Sequence, residues 1–123
     1  NLHKQMNFFA KYSEYFSNPI QAADVHTGWL AFPILIKEDA PFTRKQFQIY
    51  LEKRDIQTRV CFTGNVLRQP IAEGITMRKN KNGYPNADAV MERGVLLPLH
   101  HGMTDEMFDR LHTTIDEFIA EHV

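Results

Sequence analysis

Leu2, Met6, Phe9 and Phe16 recur at helical spacing, and Phe8, Tyr12 and Tyr15 form a second apolar stripe beside them. The pattern predicts a helix over residues 2–16, ended by Asn18-Pro19, with more apolar surface than one buried face requires. Such a helix either lies in the core of a small domain or is wedged between this domain and another. Residues 28–36 (Gly28-Trp29-Leu30-Ala31-Phe32-Pro33-Ile34-Leu35-Ile36) read as a strand, in which Pro33 lacks a ladder donor and favours an edge or a bulge. Thr43-Arg44-Lys45-Gln46 is a capping box, so a helix runs from there to about Arg54 with Phe47, Tyr50 and Leu51 inward. A strand follows around residues 58–62.

Residues 72–83 have little apolar periodicity and read as a mobile surface loop around Lys79, Asn80, Lys81, Asn82 and Gly83. Tyr84-Pro85-Asn86 introduces a short helix with Asn86 as N-cap and Ala87, Val90 and Met91 inward, and an apolar strand covers residues 94–98. Thr104 caps a last helix, with Asp105 and Glu106 against the positive end of its dipole and Met107, Leu111, Ile115 and Phe118 as its buried stripe. Helices and strands alternate, which argues for an α+β fold in two layers: a small sheet with helices packed on it. No repeat, low-complexity tract or second internal domain interrupts the 123 residues.

Composition narrows the function classes. A chain of 123 residues, 43% apolar, fits one globular domain, and 14 basic against 15 acidic residues leave a formal charge of -1. That balance gives no global reason to bind nucleic acid or an anionic membrane, so any anion site is local. The lone Cys61 forms no internal disulfide and fits a reducing compartment, so a cytoplasmic location is expected. Neither a membrane-spanning run nor a signal peptide is present, and the start at Asn1 inside a helical pattern suggests further chain upstream.

The densest candidate chemistry lies in Thr58-Arg59-Val60-Cys61-Phe62-Thr63-Gly64-Asn65-Val66-Leu67-Arg68-Gln69-Pro70. A turn needs only the Gly and the Pro. Arg59 and Arg68 are therefore surplus to folding, and each can fork onto a carboxylate or phosphate or else form a surface salt bridge. Asn65 and Gln69 fit either a ligand-reading role or ordinary turn roles, and Phe62 reads as core rather than as a stacking platform. His100 and His101 follow the last strand, where an imidazole could touch a ligand, but neighbours in extended chain point apart and chelate poorly. His3, His26, His112 and His122 are isolated. The lysines all sit in polar contexts, and no nucleophile elbow, P-loop or dinucleotide fingerprint occurs, so no catalytic residue is assigned.

Trp29-Leu30-Ala31-Phe32-Pro33-Ile34, then Ala40-Pro41-Phe42-Thr43-Arg44, Tyr50-Leu51-Glu52 and the run from Thr58 to Pro70 together resemble the C-terminal domain of the DegT/DnrJ/EryC1/StrS sugar-nucleotide aminotransferase family. Tyr84-Pro85-Asn86-Ala87-Asp88, Leu97-Pro98-Leu99-His100 and Gly102-Met103-Thr104-Asp105-Glu106-Met107 continue the likeness over nearly the whole chain. Gly64-Asn65-Val66-Leu67-Arg68-Gln69-Pro70 is similar to the branch that removes the 3-hydroxyl from nucleotide-linked 4-keto-6-deoxy sugars, in deoxysugar and lipopolysaccharide biosynthesis. His101 stands where the family commonly has a proline.

The resemblance implies the small domain of a fold-type I pyridoxal-phosphate enzyme, with residues 1–18 as a linking helix from a larger cofactor domain. It implies a homodimer whose active site lies between large and small domains, and pyridoxal or pyridoxamine 5'-phosphate held mainly by the large domain. Arg59, Phe62, Asn65, Arg68, Gln69 and His100 would then face the nucleotide sugar or the amino donor's carboxylate, the isolated chain being inactive. Some dehydratases of this type use an iron–sulfur cluster, whose several thiolates one cysteine does not supply. Three alternatives remain open: an aminotransferase of the same family, a free-standing module that binds a small anion, and, with weaker support, an RNA-binding sheet that lacks the usual basic and aromatic strand motif. Apolar surface exposed along residues 2–16 would mark a detached domain rather than a free-standing one.

Overall fold

Burial alternates along β2 (Ala31–Ile36), where Phe32, Ile34 and Ile36 are buried and Ala31, Pro33 and Leu35 are only half covered. Successive strand residues point to opposite faces, so this one strand already separates a packed face from an open one. The structure, a computed structural model, describes residues 1–123. The elements are α1 (Leu2–Ala10), β1 (Phe16–Ser17), β2, α2 (Arg44–Glu52), β3 (Arg59–Val60), α3 (Pro85–Arg93), β4 (Gly94–Pro98) and α4 (Asp105–His122). The strands form one antiparallel sheet in the order β1-β2-β4-β3.

Phe32, Ile34, Ile36, Val95 and Leu97 supply the packed face, and Phe9 of α1, Phe47 and Leu51 of α2, and Leu111, Ile115 and Phe118 of α4 close over it. This is the expected two-layer α+β arrangement. The Thr43 capping box forms in full, which explains why α2 begins at Arg44, and Thr104 caps α4 by accepting from the Met107 N–H.

Four local expectations are corrected. The first helix stops at Ala10, because Phe16 leaves it to pair with Ile36 and buries its ring against Phe9, Phe42 and Phe47. Residues 1–18 are thus helix, turn and strand rather than one linking helix. Pro33 lies in an inner strand, yet β1 reaches only Leu35 and Ile36, so Pro33 is paired on one side alone. Tyr84, not Asn86, precedes α3, with Pro85 in its first turn where a missing N–H costs nothing. On α4 the buried stripe starts at Phe108, and Met107 is exposed.

The apolar stripes of α1 are covered by this domain itself. Phe8 and Phe9 are buried, and Leu2, Met6, Tyr12 and Tyr15 pack against the core. Gln5, fully buried, donates from Nε2 to the Pro98 carbonyl at 3.2 Å, and its Oε1 lies 3.0 Å from Nε2 of His112. That imidazole stacks on Phe8 at 3.9 Å, and burial holds its pKa below the ordinary value, keeping it neutral. His112 is thus part of the packing, a role that sequence reasoning missed.

Two tyrosines complete the helix layer: Tyr12 donates to Asp116 at 2.5 Å and Tyr50 to Glu121 at 2.7 Å. Burial first, then the carboxylate each phenol donates to, pushes both pKa values from 10.0 to about 12. The unfolded chain ionises these phenols near 10, so their stabilisation is complete below pH 10 and is lost as pH rises toward 12. Melting temperature measured across this window is expected to fall, and Tyr12→Phe combined with Tyr50→Phe to flatten the fall. An equally steep fall in the double variant would refute the assignment.

Candidate functional site

The loop after β3 is locked onto α3 from three positions. Gly64 has φ +64, and a Cβ there would lie 2.3 Å from Cβ and 2.5 Å from Cα of Met91, so only glycine fits. Asn65 is buried, accepts the Leu67 N–H at 3.0 Å and donates from Nδ2 to Oδ1 of Asp88 at 2.8 Å. Arg68 forks onto the same carboxylate, Nε to Oδ1 at 3.0 Å and Nη2 to Oδ2 at 3.2 Å. Gln69 donates to the Thr63 carbonyl at 3.2 Å and ties the loop's two arms together.

Asp88 therefore organises the loop, and the hydrogen bonds from Arg68 and then Asn65 hold its carboxyl below the usual carboxylate range. Sequence reasoning missed it. It stands in the Tyr84-to-Asp88 run at the start of a helix, where an acid already has a local reason to be. Asn65 and Arg68 find their first partners inside the chain rather than pointing freely at a ligand.

Arg59 differs. It lies opposite Leu96 across the ladder, and Leu96 lies opposite Pro33, so the three side chains project from the same face of the sheet. That is the face opposite α1, α2 and α4. Arg59 is exposed and forms no ion pair. It is the cation left available along that edge.

The open face carries a cleft of about 820 Å³, lined among others by Ile20, Trp29, Leu30, Leu35, Phe62 and Leu96. No acidic, basic or histidine side chain lines it. Ile20 is 97%, Leu30 94% and Phe62 88% exposed, an apolar concentration that a free sheet surface would ordinarily replace with polar residues. The expectation that Phe62 belongs to the core is thereby corrected. β3 ends after two residues, the chain turns through φ 50 at Phe62, and the ring swings out to the mouth of the cleft. Cys61 beside it is half buried, and burial raises its pKa, so it is a thiol rather than a thiolate.

His100 does not join this group. The loop from Cys61 meets β4 beside Gly94, where Cys61 Sγ would lie 2.9 Å from an added Cβ, whereas His100 follows the other end of that strand. At strand rise this puts them about 20 Å apart. Nδ1 of His100 accepts the Gly102 N–H at 3.1 Å, a turn contact, and its carbonyl accepts from Nδ2 of Asn1 at 2.7 Å, which ties this turn to the start of α1. His100 thus stands apart from the Cys61–Phe62 turn, at the other end of β4.

Pyridoxal phosphate requires donors for its phosphate, an acidic or basic partner for its ring nitrogen, and in most such enzymes a lysine for its aldehyde. The cleft offers hydroxyl and amide groups (Ser17, Asn18, Gln21, Thr27) but no charged partner for a phosphate or a ring nitrogen and no lysine, and no lysine of the chain is buried. The residues present do not by themselves make that pocket. Nor do three His, Cys, Asp or Glu side chains converge to hold a metal ion.

The family model described as the DegT/DnrJ/EryC1/StrS aminotransferase family matches residues 6–116. A dTDP-4-dehydro-2,6-dideoxy-D-glucose 3-dehydratase of Saccharopolyspora spinosa is 35% identical over 103 residues, which are 84% of this chain and 22% of that protein. The chain spans 22 to 24% of the length of the curated relatives it matches. Among solved structures, E. coli GDP-4-keto-6-deoxy-D-mannose-3-dehydratase with bound hydrated PLP superposes at TM-score 0.80 with 23% identity, covering 93% of this chain and 28% of that one. The aminotransferase from Psychrobacter cryohalolentis superposes at 0.83 with 15% identity, covering 98% and 33%. The fold is thus the one these enzymes share, and backbone likeness alone does not separate dehydration from transamination.

Proposed function

The chain belongs to the DegT/DnrJ/EryC1/StrS aminotransferase family, and on that premise we propose that it is the C-terminal small domain of a pyridoxal- or pyridoxamine-phosphate-dependent C3 dehydratase acting on nucleotide-linked 4-keto-6-deoxy sugars. The carrying observation is the sequence identity to a 3-dehydratase, set beside backbone likeness that is comparable for both reaction types. The uncharged cleft supports the division of labour: the cofactor grip and the reacting groups belong to polypeptide outside these 123 residues, packed as a larger domain against the open face. The working enzyme is then a cytoplasmic homodimer. This chain's part is to wall the site and to offer Arg59 to an anionic group of the substrate or amino donor.

The test is to incubate the full-length polypeptide with pyridoxamine phosphate, an amino donor and a GDP- or dTDP-linked 4-keto-6-deoxy sugar, and to follow the product by mass. Loss of the C3 oxygen is the expected result. Gain of an amino group at C4 would replace this reading with the aminotransferase, and no reaction with any such sugar would favour the free-standing module. The covered stripes of α1 are the observation on the module's side, since a self-contained domain hides them.

Arg59→Ala is expected to raise KM several-fold and leave the melting temperature unchanged, because an unpaired exposed cation contributes less than about 0.5 kcal/mol to stability. An unchanged KM would remove Arg59 from the site.

A further inference from the structure

A guanidinium has five N–H donors, and Asp88 takes only Nε–H and one Nη2–H of Arg68. The remaining edge, both Nη1 hydrogens and the outer Nη2 hydrogen, has no partner within the chain. The Arg68 side chain is 63% exposed, whereas Asp88 is 26% exposed, so the shielded carboxylate sits behind an outward-facing arginine. Asp88 is in turn held by Asn65, which is buried, fixed to Leu67 and next to the Gly64 wedge. The arrangement costs Arg68 little of its flexibility at the moment of binding, because the ordering is already done within the fold.

We propose that Asp88 is a positioning residue: it orients Arg68 so that the free Nη1/Nη2 edge of the guanidinium forks onto an oxyanion of the bound substrate or donor. This rests on the reading of the chain as part of a nucleotide-sugar enzyme, and it gives the internal Arg68 pair a purpose that a surface salt bridge lacks. Two anions share the required chemistry, the diphosphate of the nucleotide sugar and a carboxylate of the amino donor.

The experiment is a double-mutant cycle on the full-length polypeptide, titrated calorimetrically with inorganic pyrophosphate and, separately, with glutarate. Arg68→Ala and Asp88→Ala are each expected to weaken binding of one probe roughly tenfold, the scale of a charge-assisted hydrogen-bond pair. Asp88→Glu should restore part of that affinity, and Arg68→Lys, which has no fork, should not. In the Arg68→Ala background Asp88→Ala should cost nothing more. Loss confined to pyrophosphate assigns the edge to the diphosphate; loss confined to glutarate assigns it to the donor. If Asp88→Ala costs as much without Arg68 as with it, Asp88 acts through the fold and the proposal is overturned. If Arg68→Ala changes neither titration, Arg68 holds no anion and the proposal is likewise overturned, while the sugar assay still decides the reaction on its own.

Discussion

Gly64→Ala is expected to destabilise the domain by about 2–5 kcal/mol, combining roughly 1–2 for a left-handed alanine with roughly 1–3 for overpacking. The added methyl would meet the Met91 Cβ and Cα at 2.3 and 2.5 Å, and backbone at that distance does not yield as a flexible side-chain tip would. Either α3 moves or the loop does, and both outcomes separate Asn65 and Arg68 from Asp88. Gly74→Ala is the control: its φ is +77, but nothing lies within 4 Å of an added Cβ, so only the conformational part remains. Urea unfolding of the two variants isolates the Met91 contact as their difference. Equal losses would show that the loop is not wedged against α3.

Phe118→Ala should be costlier than most core truncations, at about 3–5 kcal/mol. The side chain is fully buried, and rings of Phe42, Phe47 and Tyr50 meet it edge-on or nearly so at 4.9, 5.1 and 5.2 Å, with His122 stacked at 4.1 Å. Edge-to-face aromatic packing loses its geometry as well as its area when the centre ring goes. Since a domain of this kind is stable by only about 5–15 kcal/mol, the alanine variant can fail to fold. Phe118→Leu, which keeps most of the volume, should lose less and remain measurable by circular dichroism in urea. A loss below about 1 kcal/mol for Phe118→Ala would mean that the cluster repacks and is not a rigid centre.

These two sites mark the two halves of the molecule. Phe118 belongs to the helix-covered face, where packing sets stability. Gly64 belongs to the loop beside the open face, where the same loss of order would also disturb Arg68 and the wall around Phe62.

The sequence by itself determined what neighbours within a few residues can decide. The Thr43 box, the Thr104 cap, the 94–98 strand and the buried Phe47, Tyr50 and Leu51 all follow from local hydrogen bonding and from periods of 3.6 and 2 residues. So did the family, because its motifs are short runs that survive as text. Tertiary structure alone decided the rest. Phe16 changed from helix to strand because Ile36, twenty residues on, offered a ladder and a pocket of rings. Arg68 acquired Asp88 at the same separation, and Arg59 fell on the open face through its register with Leu96. His100 was carried to the far end of β4, away from the residues it had been grouped with. In each case the deciding partner is distant in sequence. Local propensity sets which conformations are cheap, whereas strand register and close packing set which side chains meet.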